Sequence, residues 1–195
     1  MEKFTHRALS FFSTLWPAEE KRLVFGEGNC HAPRLMLIGE APGEQETLQG
    51  RPFVGKAGKN LDGFLEVVGL NRPDIWISNV VKVRPTKVSD KGRTSNRPPS
   101  KEELALFTPY LYEEIGIVRP GVIVTLGNVA LQAMLGSKAV IGDHHGRLTE
   151  ATVQGQPVRV FPLYHPASII YNRALGQVYQ QDLLALRRLL DEGVI

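Results

Sequence analysis

The sequence predicts an α/β fold built on a parallel sheet whose strands are buried on both faces. Four short, mainly apolar runs indicate such strands, because a strand covered on both faces loses the alternation of apolar and polar residues. Segments with apolar residues at helical spacing lie between the runs, as in sheets whose parallel strands are connected by helices. The four runs are Leu35–Ile38, Ile75–Val81, Gly121–Gly127 and Val158–Tyr164.

Length and composition favour a single domain over residues 1–195. A chain of 195 residues with 43% hydrophobic and 22% charged residues is ordinary for a soluble globular protein with an adequate core. The start, Met1–Phe12, contains Lys3 and Arg7 and has no apolar run long enough for a secretory core or a membrane span. We therefore expect a cytoplasmic protein.

Helices are predicted before and after the first strand. Phe4–Trp16 has enough large apolar side chains for a helix that ends at Pro17, and residues 1–23 are expected to cover the body of the domain. Val24–Asn29 is expected to be a structural loop punctuated by glycine. Beyond the first strand, apolar residues recur at helical spacing within Leu61–Val68.

The other helices follow the second, third and fourth strands. Ser100–Glu103 has the pattern of a capping box and opens a helix whose buried stripe runs to Val118, with a possible kink at Pro109. A helix over Asn128–Leu135 follows the third strand. A last helix, from about residue 178 to about residue 190, closes the domain.

The stretch from residue 39 to residue 58 has the features of a site. Ligands of open α/β sheets bind beyond the carboxyl ends of the strands, which is where this stretch begins. Phe53 is expected to be an exposed aromatic residue here, although core packing of Phe53 and a helix-start role for Glu46 are the plain alternatives. Two acids, together with glycines that free the backbone amides, predict a polar cradle made of Glu40, Ala41, Gly43 and Glu46.

A phosphate-binding loop is the competing interpretation of part of this stretch. Gly50–Ala57 nearly matches the pattern G-x-x-x-x-G-K-[ST]. However, Ala57 lacks the hydroxyl that would bind magnesium, Pro52 lacks an amide, and the loop does not directly follow a strand. We therefore do not expect a nucleotide phosphate site.

Polar residues stand at the carboxyl ends of three different predicted strands: Glu40, Asn79 and His165. Because such ends meet at one edge of a parallel sheet, the three side chains are expected to converge on one site. Taken singly, Asn79 could equally tie down a neighbouring loop, and His165 could be a hydrogen-bonded core residue. Chance explains the set less well than it explains any one member.

Positive charge is concentrated in one segment. Residues 82–101 have a net charge of +6, whereas the rest of the chain has a net charge of −3. The prolines and Gly92 in the segment predict an extended basic surface loop over residues 84–99. Basic loops are often merely solvated, but one on an otherwise acidic protein favours a polyanion as partner. The basic residues are Lys82, Arg84, Lys87, Lys91, Arg93, Arg97 and Lys101.

No metal site is predicted. His144 and His145 lack cysteine, aspartate or glutamate at ligand spacing. The single cysteine, Cys30, cannot form an internal disulfide and has no second thiol with which to bind a metal. We expect Cys30 to be a partly buried thiol.

The sequence resembles the family 4 uracil-DNA glycosylases over roughly residues 24–190, because several motifs occur in the same order. The resemblance implies a three-layer α/β/α sandwich with a central four-stranded parallel sheet. It also implies a monomer that removes uracil from DNA, releases free uracil and so initiates base excision repair. The motifs are GEAPGEQE, GRPFVGKAG, SNVVKVRP with NRPP, VIVTLGNVA and FPLYHPAS.

The resemblance also implies roles for individual residues. Phe53 would stack on a uracil flipped out of the DNA. The Asn79 amide would accept from N3–H of uracil and donate to O4, whereas cytosine has an acceptor and a donor at these two positions. His165 would donate to O2 of the departing base, while the two acids would favour the sugar cation and orient or activate water. The uracil-binding set is Glu40, Ala41, Gly43, Glu46, Phe53, Asn79 and His165, and its catalytic members are Glu40, Glu46, Asn79 and His165.

DNA is expected to contact two further parts of the chain, the basic loop and the segment after His165. Residues 168–171 are expected to form an exposed turn with an apolar wedge for the gap that the flipped nucleotide leaves. Packing beneath the final helix is the alternative. The DNA-binding set is Lys56, Arg84, Lys87, Arg93, Arg97, Ser168, Ile169 and Ile170.

One departure from the family concerns its iron–sulfur cluster, which four cysteines normally bind. Val83 and Phe107 stand at two of these positions, the amino-terminal pair is absent, and one thiol cannot hold such a cluster. We therefore expect no cofactor, with packing by Phe11, Phe12, Trp16 and Phe107 in place of the metal core. The alternative function is a non-catalytic DNA-binding or damage-sensing protein of the same fold.

Overall fold

The structure, a computed structural model, describes residues 1–16, 21–171 and 174–195. Its strands are β1 Glu27–Gly28, β2 Leu35–Gly39, β3 Trp76–Asn79, β4 Thr86–Val88, β5 Thr94–Asn96, β6 Val122–Leu126, β7 Thr149–Val153 and β8 Gln156–Leu163. Its helices are α1 Glu2–Leu15, α2 Glu44–Gln49, α3 Lys56–Val68, α4 Lys101–Val118, α5 Gly127–Leu135, α6 Ile141–His144, α7 Pro166–Tyr171 and α8 Ala174–Asp191.

The central sheet has the strand order β1-β3-β2-β6-β8-β7 within the described residues. The four predicted strands, β3, β2, β6 and β8, pair in parallel, which confirms the predicted α/β class. The sequence did not indicate the two outer strands, which pair antiparallel with their neighbours. One of them, β1, lies where a loop was predicted, because two residues are too few to show a period.

Helices cover both faces of the sheet, and the strand residues alternate between two apolar layers. In β2, Leu35 and Leu37 contact the layer under α3 and α8. Met36 and Ile38 contact the layer under α1, α4 and α5. Burial on both faces therefore explains why β2 reads as an uninterrupted apolar run.

The amino-terminal helix α1 covers the second layer, as predicted, by burying Phe4, Ala8 and Phe12. It ends at Leu15, and Pro17, which was predicted to stop it, lies outside the described residues. None of the described helices is long and apolar enough to cross a bilayer.

Helix α4 begins at the predicted capping box. The Ser100 side chain accepts from the Glu103 amide at 3.2 Å, and the Glu103 carboxylate accepts from the Ser100 amide at 2.8 Å. Pro109 lies inside the helix without ending it.

Two predicted surface segments have more regular structure than the sequence indicated. Within residues 84–99, strands β4 and β5 pair antiparallel, so the basic loop contains a β-hairpin. Residues 166–171 form α7 and not an exposed turn, and Ile169 is partly buried against the layer under α3 and α8. The side chains of Ile170 and Tyr171 lie outside the described part of the structure.

Candidate active site

A cavity of about 340 Å³ lies beyond the carboxyl ends of β2, β3 and β8. This is the edge at which open α/β sheets bind ligands. Asn79 and His165, two of the three side chains that the sequence placed at strand ends, line the cavity, and Glu40 does not. The lining residues are Ala41, Gly43, Glu44, Glu46, Phe53, Lys56, Ala57, Asn79, Asn96, His165 and Ala167.

Gly39 allows two of these side chains to approach the end of β2. It pairs with Asn79 across the parallel register of β2 and β3. A Cβ atom at Gly39 would overlap both the Asn79 Oδ1 atom and the Phe53 ring. Glycine is therefore required here for close approach, and any larger residue would push the amide or the ring out of place.

Glu46 is 9% exposed and organises the loop around the cavity. Its carboxylate accepts from the backbone amides of Gly43 at 3.1 Å, Val54 at 3.0 Å and Gly55 at 2.6 Å. Two of these amides belong to the segment that resembles a phosphate-binding loop. Because the carboxylate already occupies them, the segment offers no ready anion site, which agrees with the rejection of that interpretation.

Phe53 has a backbone φ of 54°, in the left-handed region that residues with a side chain seldom adopt. Its carbonyl accepts from the Arg72 guanidinium at 2.6 Å, and the adjacent amide of Val54 is held by Glu46. Gly58 packs directly on the Phe53 carbonyl, where a Cβ atom would clash. The surroundings thus hold a strained backbone that directs the ring to the cavity.

The Phe53 ring is therefore both a core residue and a wall of the cavity. Only 5% of the residue is exposed, and it belongs to the layer under α3 and α8. The prediction of an exposed aromatic is wrong, because the ring closes the cavity from the core side.

Asn79 is the last residue of β3 and is 3% exposed. Its backbone carbonyl accepts from the Lys82 ammonium at 2.7 Å. Its side-chain amide forms no hydrogen bond with any described residue, although it lines the cavity. A buried amide without a partner is costly, so this group is available for a ligand that offers one donor and one acceptor.

His165 follows β8 and lines the cavity opposite β3. Its Nδ1 accepts from the Ala167 amide at 3.1 Å, so the neutral ring holds its proton on Nε2. Burial lowers the pKa of His165, which favours this neutral form. The ring is thereby prepared to donate from Nε2.

Glu40 is partly buried, and its side chain forms no hydrogen bond with the described residues. Burial raises the pKa of the Glu40 carboxyl. Its backbone carbonyl accepts from the Val81 amide at 3.0 Å, so the residue is anchored beside the end of β3. A carboxyl group with a raised pKa and no protein partner is suited to proton transfer or to attraction of a cation.

Asn96 is a lining residue that the sequence analysis missed. It ends β5, and its Oδ1 accepts from Arg84 Nε at 2.7 Å. Because guanidinium groups only donate, this bond fixes the orientation of the amide and leaves its NH₂ free at the mouth of the cavity. The signal in the sequence is the motif NRPP, in which the polar Asn96 stands two residues before Pro98 in a predicted loop.

The basic residues of this region divide into bound and free groups. Lys82, predicted within the basic segment, is fully buried and pairs with Glu114. Arg97 pairs with Glu103, and Arg84 contacts Glu44. In contrast, the exposed hairpin residues Lys87, Lys91 and Arg93 form no ion pair within the described structure.

Of the two adjacent histidines, His145 contacts an acid and an aromatic ring. His145 Nδ1 lies 2.8 Å from Asp182 Oδ2, and its ring centre lies 4.8 Å from that of Tyr164. Among the described residues there is no group of three or more His, Cys, Asp or Glu side chains that could hold a metal ion.

Comparison with known proteins identifies the family. The uracil DNA glycosylase superfamily model matches residues 25–187. The type-4 uracil-DNA glycosylase of Saccharolobus solfataricus is 38% identical over 90% of this chain and 79% of its own length. That of Pyrobaculum aerophilum is 39% identical over 84% of this chain and 81% of its own length.

This chain belongs to the uracil-DNA glycosylase superfamily. Its similarity to a solved structure shows the same fold. Pedobacter heparinus SMUG2 superposes with a TM-score of 0.55 at 16% identity, covering 83% of this chain and 77% of that one.

The residues of this superfamily member do not fit an iron–sulfur cluster. Val83 and Phe107, at two of the family's ligand positions, are fully buried and have no ligand atom. The Phe107 ring stacks on Phe12 with centres 4.7 Å apart and lies 6.1 Å from Trp16. The chain has one cysteine, so an aromatic stack occupies the region in which cysteines would have to converge.

Proposed function

We propose that this protein is a uracil-DNA glycosylase that flips uracil out of DNA and hydrolyses its N-glycosidic bond. The proposal depends chiefly on one observation: an unpaired Asn79 amide and a neutral His165 line the same cavity at the carboxyl edge of the sheet. Its membership of the superfamily supports the same reaction.

Base recognition is assigned to the Asn79 amide. Its oxygen accepts from N3–H of uracil and its NH₂ donates to O4. Cytosine presents an acceptor at N3 and a donor at C4, so both pairs would be lost and the buried amide would stay unpaired. The Phe53 ring supplies a stacking face on the core side of the cavity.

Stabilisation of the leaving group is assigned to His165. The departing uracil anion gathers charge on O2, and a donor aimed at that atom is worth most in a site without water. The Ala167 amide on Nδ1 supports this role, because it places the imidazole proton on Nε2. No proton needs to be transferred if the neutral ring donates a hydrogen bond.

We assign different roles to the two acids, Glu46 and Glu40. The Glu46 carboxylate is committed to three backbone amides, so we assign it to shaping the cavity. Glu40 has no such partners, and we assign it to attraction of the oxocarbenium-like sugar and orientation of the attacking water. Glu40 directly precedes the lining residue Ala41, so we place the sugar beside this end of β2.

An oligonucleotide assay tests the proposed reaction. A labelled duplex with one uracil is incubated with the protein and then treated with alkali, which cleaves the strand where the base is missing. We expect cleavage at uracil and none in the matched duplex with cytosine. Binding of the duplex without cleavage would instead support the alternative, a non-catalytic DNA-binding or damage-sensing protein.

We expect the purified protein to be colourless and fully active without iron. The physical reason is that Val83 and Phe107 offer no ligand atom and the aromatic stack fills the region. Elemental analysis beside the oligonucleotide assay checks this. Stoichiometric iron in the active preparation, with loss of activity on its removal, would contradict it.

DNA affinity is expected to depend on salt through the hairpin residues Lys87, Lys91 and Arg93, whose side chains form no ion pair with other described residues. Changing Lys91 and Arg93 to Gln should lower the slope of log affinity against log salt by up to about two. Arg119→Gln is the control, since Arg119 precedes β6 at the opposite edge of the sheet and should leave the slope unchanged. An unchanged slope in the double variant would show a merely solvated hairpin.

A further inference from the structure

A buried ion pair lies directly behind the Asn79 backbone. Lys82 and Glu114 are both 0% exposed, and their Nζ and Oε2 atoms are 2.6 Å apart. The ammonium also donates to Ser78 Oγ at 2.6 Å and to the Asn79 carbonyl at 2.7 Å. All three N–H groups of Lys82 are therefore used, and each is directed to a different acceptor.

Glu114 completes the network from helix α4. Its Oε1 accepts from the Trp76 indole at 3.0 Å and from Ser78 Oγ at 3.0 Å. A Cβ atom at Gly26 would clash with the same carboxylate, so the chain leaves room for it. Burying two charges carries a large desolvation cost before they pair, and replacing such a pair by apolar groups is often neutral for stability. The pair is therefore not explained by stability alone.

The network lies on the opposite face of the sheet from the cavity. Trp76 belongs to the layer under α1, α4 and α5, whereas Ile77 belongs to the layer under α3 and α8. Because side chains alternate along a strand, Ser78 faces the network and Asn79 faces the cavity. Lys82 consequently reaches Asn79 through the backbone carbonyl and not through the reacting groups.

We propose that Lys82 is a positioning residue, which with Glu114 holds the end of β3 so that the unpaired Asn79 amide points at the base. β3 ends at Asn79, and the Asn79 carbonyl accepts from the Lys82 ammonium. The Val80 amide, bonded to the Gly39 carbonyl at 2.9 Å, fixes the following peptide. The proposal rests on the proposed function, since it assigns Asn79 to base recognition.

The first test is a double-mutant cycle on excision under single-turnover conditions. Lys82→Met should slow uracil excision by about 10²-fold, because a shift of about 1 Å in a positioned group has an effect of that size. In an Asn79→Ala background the same change should slow excision by less than about threefold, because the group that Lys82 positions is already missing. Affinity for uracil-containing DNA should be almost unchanged.

Two further variants separate positioning from stability. The paired change Lys82→Met with Glu114→Gln removes both charges, so it avoids an uncompensated buried carboxylate and should show the same non-additivity. Val118→Ala is the matched control, since it removes buried apolar atoms from the same helix one turn beyond Glu114. It should lower the melting temperature while leaving the excision rate below that temperature unchanged. Equal slowing by Lys82→Met in both backgrounds would overturn the proposal.

An activity-independent measurement completes the test. The side-chain NH₂ signals of Asn79, assigned by their absence in Asn79→Ala, should form one sharp pair in the wild type. They should broaden or move in Lys82→Met and stay unchanged in Val118→Ala. Unchanged signals in Lys82→Met would refute the positioning role. A wild-type protein that shows the expected signals but excises no uracil would refute the proposed function while leaving the positioning role supported.

Discussion

Replacing Asn79 by alanine is expected to slow uracil excision by about 10³-fold, with affinity for undamaged DNA almost unchanged. The reason is that the amide is asked to read the flipped base, whereas phosphate contacts provide most of the binding energy. Single-turnover excision and equilibrium binding on the same duplex measure the two quantities separately.

Asn128→Ala is the matched control for this change. Asn128 Oδ1 accepts from the Ile141 amide at 2.8 Å, so this asparagine has a structural partner outside the cavity. Its loss should lower stability and leave the excision rate unchanged below the melting temperature. If Asn79→Ala behaved in the same way, or lost binding and rate equally, Asn79 would be a structural residue.

His165→Ala is expected to slow excision by about 10²- to 10³-fold, the usual effect of losing one donor to a developing anion. His165→Gln should recover part of the rate, because its amide keeps an N–H donor on a side chain of similar reach. DNA binding should be unaffected in both. A rate within threefold of wild type in His165→Ala would show that the ring does not contact the departing base.

The pH dependence of excision follows from the same residue and from Glu40. Burial lowers the pKa of His165 from its ordinary value of 6.5 and raises that of Glu40 from 4.5. Above pH 6.5 His165 is in its required neutral form, while the Glu40 carboxyl reaches its charged form at a higher pH than a free carboxyl does. The rate should therefore rise with pH to a plateau.

On acidification, the Glu40 carboxyl takes up a proton at a pH above 4.5, and the His165 ring takes one up at a pH below 6.5. A proton on Glu40 removes the negative charge that favours the sugar cation, and a proton on His165 Nδ1 would face the Ala167 amide. The rate should therefore fall with decreasing pH. Glu40→Gln should lower the excision rate at neutral pH and make the rate fall less steeply on acidification. An unchanged fall on acidification would show that Glu40 does not titrate in the reaction.

The aromatic stack and the buried ion pair both join residues that are distant in the sequence. The absence of the family's four cluster cysteines is visible in the sequence, and it was enough to predict that packing replaces the cluster. Phe12 and Phe107 are 95 residues apart in the sequence, and their stacking became visible only in the structure. The Lys82–Glu114 pair spans 32 residues, and nothing near Lys82 distinguishes it from the exposed lysines that follow.

The sequence by itself determined the four parallel strands, the helices between them, and the convergence of Asn79 and His165 on one edge. These features depend on local periodicity and on the rule that the ends of parallel strands meet at one edge of a sheet. The tertiary structure alone decided which charges are free. Lys82 is buried because β3 and α4 face each other. Arg97 is held in an ion pair because the hairpin ends beside Glu103. Asn96 reaches the cavity because β5 pairs with β4. A side chain's charge and polarity are properties of the residue, but its partners come from elements that are distant in the chain. Those partners determine whether the side chain binds a ligand or stabilises the fold.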